Sequence, residues 1–229
     1  MKADYIFVLP GTSASRKQEL MVQKAMYDLG NDGKRCAIVS TSSPNIYYTR
    51  NGCIKNIMCG ARRDQKPFEG IYENYDRMIW VDSDNLITAE KIKALIAHDV
   101  DICAAWYRMY KEGDISDNNK TACWYSDPTT QTDKPILVKE MVEFRGKEYG
   151  LVEVDYAGFG LIVIKKGVFE SIEYPWFSSW TLDWTDSEGV ECSEIVTDDA
   201  GFCIKIKAAG FKIYVDPNVQ VLHQKVVDL

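Results

Sequence analysis

Short apolar runs alternate with amphipathic stretches through the first half of the chain. Four runs predict buried strands at 5–9, 36–40, 78–81 and 101–106. Between the first two strands, Met21, Ala25 and Leu29 recur at four-residue spacing and predict a helix. Between the last two, Thr88 caps a second predicted helix that carries Ile92 on its apolar face. This alternation is typical of a mostly parallel sheet covered by helices.

The second half of the chain is less regular. Charged residues, Asn, Thr and Pro interrupt residues 107–153, which predicts hairpins or loops over one end of the sheet. A Gly-broken turn that leads into a strand is predicted at 156–164, and a mobile loop at 178–194. Thr197 then caps a predicted helix that ends at Gly210, and two short extended pieces follow it. We see no internal repeat and no linker, so residues 1–229 are predicted to form one α/β domain.

Composition narrows the choice of partners and compartment. The net charge of −7 argues against a nucleic-acid partner, because proteins that follow phosphate backbones usually have basic faces. No window holds the ~18 apolar residues of a transmembrane segment, and residues 1–4 do not begin a signal peptide. The seven cysteines are scattered without a CxxC pair, which favours a reducing, cytoplasmic setting and argues against zinc.

The triplet Asp82-Ser83-Asp84 directly follows a predicted strand. Side chains at the carboxyl end of a parallel strand point toward the crevice where α/β sheets bind ligands. The two carboxylates at this position can reach the same bound group, and their hard oxygens suit Mg²⁺ or Mn²⁺. A second triplet of this form, Asp99-Val100-Asp101, precedes a strand instead, and it is interpreted as a solvated turn.

Other candidate residues are less distinctive when taken alone. His223 follows the last extended segment and is one of only two histidines, whereas His98 is interpreted as a surface or capping residue. Asp198 and Asp199 open the helix after Thr197, where they can either complement the helix dipole or accept a proton from a hydroxyl group.

Two further groups could contact a sugar nucleotide or its acceptor. Arg50-Asn51 could bind phosphate or a base edge, although by themselves the two residues would form an ordinary polar loop. Clustered aromatic residues could either stack on sugar rings or fill the core, and these are Tyr174, Trp176, Phe177, Trp180 and Trp184.

In order and spacing, these segments resemble the GT-A glycosyltransferases, most closely the short GT-2-like domains of phages and large DNA viruses. The resemblance runs from Tyr5 to His223, nearly the whole chain. The matching segments are Arg50-Asn51, residues 75–84, Ala157-Gly158-Phe159-Gly160, residues 174–177, residues 197–203 and residues 210–223. It implies a Rossmann-like, mostly parallel sheet with a small antiparallel extension on the acceptor side. A nucleotide-binding part would cover about 1–106, and an acceptor-side and catalytic part about 107–229.

The resemblance also implies a role for each candidate. Asp84 and His223 would bind Mn²⁺ or Mg²⁺ against the diphosphate. Asp82 would be the third residue of the metal site and would also contact the donor, facing the ribose or a metal-bound water. Asp199 would be the base of an inverting enzyme, but Asp198-Asp199 replaces the usual Glu-Asp pair and leaves the choice between them open. The remaining donor-binding residues would be Leu9, Pro10, Gly11, Arg50, Asn51, Ser83, Gly158, Phe159 and Gly160. The acceptor would contact Trp176 and Phe177.

The expected reaction moves a sugar from a UDP or GDP sugar to a hydroxyl group of a glycan or glycoprotein, in the cytoplasm (of a host cell if the protein is viral). Three alternatives stay open. A haloacid-dehalogenase-like phosphatase would place its DxD motif near the first strand, usually followed by Gly-Thr, whereas Asn85-Leu86 follows here. A GT-A-like nucleotidyltransferase would carry a Gly-rich basic loop, of which residues 11–16 are a weak form. A non-catalytic module would bind a sugar or a nucleotide sugar without turnover.

Overall fold

Most of the chain is described by a computed structural model, which covers residues 2–11, 15–55, 62–109, 119–127, 132–146, 150–186 and 188–224. The strands are β1 (Tyr5–Pro10), β2 (Cys36–Thr41), β3 (Arg77–Trp80), β4 (Asn85–Leu86), β5 (Ile102–Trp106), β6 (Lys120–Asp127), β7 (Thr132–Leu137), β8 (Val152–Val154), β9 (Tyr156–Ala157), β10 (Ile162–Lys165), β11 (Thr181–Thr185), β12 (Glu191–Ile195), β13 (Ile213–Gln220) and β14 (Leu222–His223). The helices are α1 (Arg16–Asn31), α2 (Ile46–Ile54), α3 (Ala89–Ala97), α4 (Val138–Phe144) and α5 (Asp198–Ala208), with a short 3₁₀ helix at Phe169–Ser171.

A seven-stranded sheet in the order β2-β1-β3-β10-β5-β13-β8 forms the centre of the fold. β1 is parallel to both β2 and β3, and β13 is parallel to β5. β10 lies between β3 and β5 and is antiparallel to both, and β8 is antiparallel to β13. Five of the seven strands therefore share one direction, so the predicted mostly parallel α/β sheet is confirmed. A small antiparallel sheet, β7-β6-β9, adjoins it.

Both faces of the sheet are buried. Successive side chains of each strand point to opposite faces, and each face packs in its own core cluster. On one face, Phe7 and Ile79 belong to a core cluster with residues of α1 and α3. On the other face, Val8 and Trp80 belong to a second cluster with residues of α2, α4 and α5. Two buried faces explain why the strands appear in the sequence as continuous apolar runs.

The two best-patterned helices form where the sequence predicts them. In α1 the side chain of Ser15 accepts a hydrogen bond from the backbone N–H of Gln18, and Val22, Ala25 and Leu29 are buried. In α3 the Thr88 side chain caps the first turn. Each helix thus combines a capping side chain with an apolar face that packs on the sheet.

Several predictions were wrong in detail. Residues 49–51 are not in a loop but in α2, which Asn45 caps by accepting hydrogen bonds from two backbone N–H groups. Residues 178–194, predicted as a loop, contain the hairpin β11–β12, and α4 was not predicted at all. The last extended pieces are one strand, β13, whose register shifts between Val215 and Gln220, around Pro217. The hairpin predicted within 107–153 is β6–β7, while residues 110–118, 128–131 and 147–149 lie outside the described residues.

The second Asp-x-Asp triplet is a turn before β5, as predicted. Asp99 follows α3 with a positive φ of 50° and a side chain that is 77% exposed, and it pairs with Arg77 and Lys165. In the described part of the chain, no helix is both long enough and apolar enough to cross a membrane.

Candidate active site

The chain reverses after β3 and brings the first Asp-x-Asp triplet against the last described strand. Asp82 and Asp84 follow β3, and the next two residues form β4, which pairs antiparallel with β14. In this pairing His223 lies opposite Asn85, and its Nε2 is 2.7 Å from Oδ2 of Asp84. The backbone N–H of Gln224 also donates to the carbonyl of Asp84 at 2.6 Å. Two of the three predicted metal ligands are therefore neighbours.

Asp84 and His223 bring together a carboxylate and an imidazole, two groups that can bind a divalent cation. The Asp84 side chain is 45% exposed and that of His223 is 17% exposed, so a ligand can reach both. Burial acts to raise the pKa of Asp84, but the hydrogen bond and charge of His223, together with hydrogen bonds from the Asp84 backbone N–H and from Asn85, outweigh this, so the pKa lies below its usual range. No cluster of three or more His, Cys, Asp or Glu side chains fit for a metal occurs among the described residues. Such a pair of ligands fits an ion that takes its other ligands from phosphates and water.

Asp82 does not face this pair. Its Oδ1 lies 3.1 Å from Nη2 of Arg50, and its backbone carbonyl accepts a hydrogen bond from the Gln18 side chain at 2.7 Å. Burial raises the pKa of Asp82, and the Arg50 guanidinium opposes this shift only in part. Of the predicted metal ligands, Asp82 is the one that the structure turns toward an arginine instead.

Arg50 links the end of β3 to the first turn of α5. It extends from α2, its side chain is only 5% exposed, and its Nε hydrogen-bonds to Oδ2 of Asp198. The guanidinium carbon lies 4.6 Å from the ring centre of Phe159 and 5.8 Å from that of Phe177. No described residue hydrogen-bonds to its Nη1. A cation buried between aromatic rings and two carboxylates holds these elements together.

Asn51 also binds protein groups rather than facing solvent. Its side-chain amide donates to the carbonyl of Phe177 at 2.6 Å and accepts from the N–H of the same residue at 3.2 Å. These two bonds fix the segment before β11 on α2. Arg50 and Asn51, both predicted to bind the nucleotide, are thus 4% and 7% exposed and already bonded within the protein.

The two candidate bases differ in their partners. Asp198 is paired with Arg50, and its side chain is 14% exposed. Asp199 accepts hydrogen bonds at Oδ1 from the Thr197 hydroxyl (2.6 Å) and from the N–H of Ala200 (2.9 Å). No hydrogen bond from the described residues reaches its Oδ2. Each carboxylate thus has one oxygen without a hydrogen bond from the described residues, and what distinguishes Asp199 is that no arginine holds it.

Comparisons with known proteins identify the fold. No protein-family model matches the sequence, and no curated protein matches it either. Among solved structures, GalNAc-T7 with UDP, GalNAc and Mn²⁺ is similar over 96% of this chain and 43% of that chain, with 11% identity and a TM-score of 0.53. This chain has the GT-A fold. The protein A197 from STIV is similar over 98% of this chain and 96% of that chain at 15% identity, but its TM-score of 0.48 carries no further conclusion.

At the start of the GT-A fold, the end of β1 lies beside the Asp-x-Asp triplet. Gly11 has a φ of 132°, and a Cβ placed on it would lie 3.3 Å from the Ser83 side chain. Pro10 is buried, whereas Leu9 and Gly11 are partly exposed. The predicted donor-binding residues Leu9, Pro10, Gly11 and Ser83 thus lie next to one another, and residues 12–14 are outside the described residues.

The predicted sugar and acceptor contacts are mostly buried. Phe159, Trp176 and Phe177 are at most 1% exposed, and Phe159 and Phe177 pack on Trp80 and on each other. Neither Trp176 nor Phe177 offers a face to a sugar ring in this structure. These rings pack in the core beneath α5. They are therefore not exposed to an acceptor in this structure.

Sequence reasoning missed Tyr107, the residue after β5. It is buried, and its ring centre lies 5.1 Å from that of His223. Burial, followed by the charges of Asp82 and Asp199, raises the pKa of its hydroxyl well above the ordinary value. The only available signal was its place at a strand end, and the pattern Gly158-Phe159-Gly160 became informative only once its contacts were visible.

Proposed function

We propose that this protein is a metal-dependent glycosyltransferase that moves a sugar from a nucleotide-diphosphate sugar to a hydroxyl group of a glycan or glycoprotein. The observation that carries the proposal is the contact between Asp84 and His223 at the sheet edge where α/β folds bind ligands. One carboxylate and one imidazole, both partly exposed, suit an ion that also binds a diphosphate.

The donor would lie across the ends of β1 and β3. Asp84 and His223 would hold Mn²⁺ or Mg²⁺, which when bound neutralises charge on the departing diphosphate. Leu9, Pro10, Gly11 and Ser83 line the nucleotide side. Asp82 is oriented by Arg50 and Gln18, and it would accept a hydrogen bond from a ribose hydroxyl.

Asp199 is the proposed base. Its free oxygen would take the proton from the acceptor hydroxyl as that hydroxyl attacks the anomeric carbon, opposite the diphosphate, with inversion. Asp198 is a poorer base because the Arg50 cation holds it, and its protonation would break that ion pair. The acceptor must contact residues other than the buried Trp176 and Phe177.

Hydrolysis of the donor tests the proposal without knowledge of the acceptor. The protein is incubated with Mn²⁺ and a panel of UDP-, GDP- and TDP-sugars, and release of the nucleoside diphosphate is measured. We expect slow hydrolysis of one donor class, its loss in Asp84→Ala, and its retention in Asp101→Ala, which changes an exposed carboxylate of the other triplet.

The outcomes separate the alternatives. Equal loss in the two variants, or no hydrolysis of any donor, counts against the proposal. Binding of a nucleotide sugar without hydrolysis would indicate a non-catalytic module. Release of pyrophosphate from a nucleoside triphosphate and a sugar phosphate would indicate a nucleotidyltransferase.

A further inference from the structure

Tyr107 lies where three parts of the site meet. Its ring centre is 5.1 Å from that of His223, with the two ring planes inclined at 50°. Its backbone carbonyl accepts a hydrogen bond from the N–H of Ala122 in β6, and the carbonyl of Ala122 accepts one from the N–H of Gly158. The Tyr107 backbone is therefore fixed to β6, which is in turn fixed to the Gly158–Gly160 segment.

The two glycines of that segment leave space for the Tyr107 ring. A Cβ on Gly158 would lie 2.2 Å from the Tyr107 hydroxyl oxygen, and a Cβ on Gly160 would lie 2.4 Å from Cε1. Real Cβ contacts essentially never fall below 3.0 Å, so any other residue at either position would displace the ring or the backbone. The absence of a side chain at both positions therefore makes room for the Tyr107 ring in its observed position.

The second ring nitrogen of His223 has no hydrogen-bond partner in the part of the chain that the structure describes. This atom, Nδ1, is buried. A histidine that binds a metal usually donates its second N–H to a carboxylate or carbonyl, which fixes the orientation of the ring.

We propose that Tyr107 is a positioning residue, which holds the His223 imidazole so that Nε2 faces Asp84. The inference rests on the proposed function in that it assigns Tyr107 to the same cation site. The ring, rather than the hydroxyl, carries the role, because the ring contacts His223 and no described residue hydrogen-bonds to the hydroxyl.

Mn²⁺ affinity, measured by electron paramagnetic resonance on the full chain, tests the assignment. Loss of an orienting partner typically costs about 10- to 100-fold in metal affinity, so we expect Tyr107→Leu to weaken Mn²⁺ binding at least about 10-fold. Tyr107→Phe keeps the ring and should restore most of the affinity. Equal affinities in Tyr107→Leu and the unchanged protein would overturn the proposal.

A double-mutant cycle separates the ring contact from general destabilisation. Gly158→Ala is the suitable partner variant, because its Cβ would meet the Tyr107 hydroxyl, whereas a Cβ on Gly160 would also meet Oδ1 of Asn85 beside Asp84. Gly158→Ala should weaken Mn²⁺ binding by pushing the ring away, and it should have little further effect once Tyr107 is Leu. Additive losses would mean that Gly158 acts independently of Tyr107 and would contradict the proposed arrangement.

Nuclear magnetic resonance tests the contact even if the proposed function fails. The chain has two histidines, so in His98→Gln the imidazole signals belong to His223 alone. We expect a nuclear Overhauser effect between the Tyr107 and His223 rings, and a change of the His223 shifts in Tyr107→Leu but much less in Tyr107→Phe. If the effect is absent, Tyr107 does not hold His223. If the contact is present but neither Mn²⁺ binding nor donor hydrolysis is found, only the proposed function fails.

Discussion

Nε2 of His223 lies 2.7 Å from Oδ2 of Asp84, although 139 positions separate the two residues in the chain. The contact depends on β4 and β14, two paired strands of two residues each. The candidate metal site is therefore completed by a short pairing that joins a turn after β3 to the end of the described chain.

Removal of the imidazole should weaken metal binding. We expect His223→Gln to lower Mn²⁺ affinity by at least about 10-fold, because the change removes a proposed direct ligand and even an outer-sphere partner is typically worth that much. Isothermal titration calorimetry would measure the affinity. His98→Gln is the matched control. His98 is not part of the candidate site, and its Nε2 lies 2.9 Å from Oδ2 of Asp216. Similar losses in the two variants would show that His223 is not a ligand.

Arg50 should matter more to stability than to nucleotide binding. Arg50→Gln leaves Asp82 and Asp198 without their shared cation, and breaking a buried ion pair typically costs about 3–5 kcal/mol in the free energy of unfolding. Urea denaturation would measure the loss. Lys24→Gln, which removes an exposed pair with Asp28, should cause no comparable change.

A second variant tests the cause of that loss. When Asp198→Asn is added to Arg50→Gln, one of the two orphaned charges is removed, and part of the stability should return. If the double variant is less stable than Arg50→Gln alone, charge compensation is not the role of Arg50.

Substitution of Asp199 should affect turnover, whereas substitution of Asp198 should affect stability. Asp199→Asn is expected to lower turnover by about 10²- to 10⁴-fold with little change in donor affinity, as for loss of a general base. Asp198→Asn should instead lower the free energy of unfolding through Arg50. Steady-state kinetics and urea denaturation of each variant distinguish these roles, and the reverse result would make Asp198 the base.

Asp4 gives a pH dependence that is independent of the site. Hydrogen bonds from Arg35 hold the pKa of Asp4 well below its ordinary value of 3.8. Because the pKa of Asp4 is lowered in the folded state, the ion pair stabilises the fold at pH values above 3.8. This stabilisation is lost progressively as the pH falls below that value. The difference in unfolding free energy between the unchanged protein and Asp4→Asn should therefore be smaller at about pH 3 than at about pH 6. Asp101→Asn serves as a control, and a difference that does not vary with pH would contradict the assignment.

Elements with a strong pattern could be predicted from the sequence, and those fixed by tertiary contacts could not. The four-residue stripe of α1 and the Thr88 cap of α3 are local signals, and both helices form as expected. α2 has no apolar stripe in the sequence, because it buries Arg50 and Asn51 beside its apolar residues. A buried arginine looks like a surface residue until its carboxylate partners are known.

The candidate site shows the same limit. The position of Asp82-Ser83-Asp84 at a strand end followed from the apolar run before it. The direction of each side chain did not, because Asp82 turns to Arg50 and Asp84 to His223 through contacts distant in sequence. Tyr107 carried no motif, and the sequence left open whether Trp176 and Phe177 bind a sugar or fill the core, because sequence does not reveal burial.

The position of β10 between β3 and β5 has a consequence for the order in which the molecule can assemble. β3 and β5 are synthesised first, but they cannot become part of one sheet until β10 has been made and inserted between them. A nascent chain that ends near residue 106 therefore leaves one edge of β3 and both edges of β5 unpaired, and such edges are prone to association with other chains. Folding of the central sheet has to wait for contacts of long sequence separation, which slow folding in general.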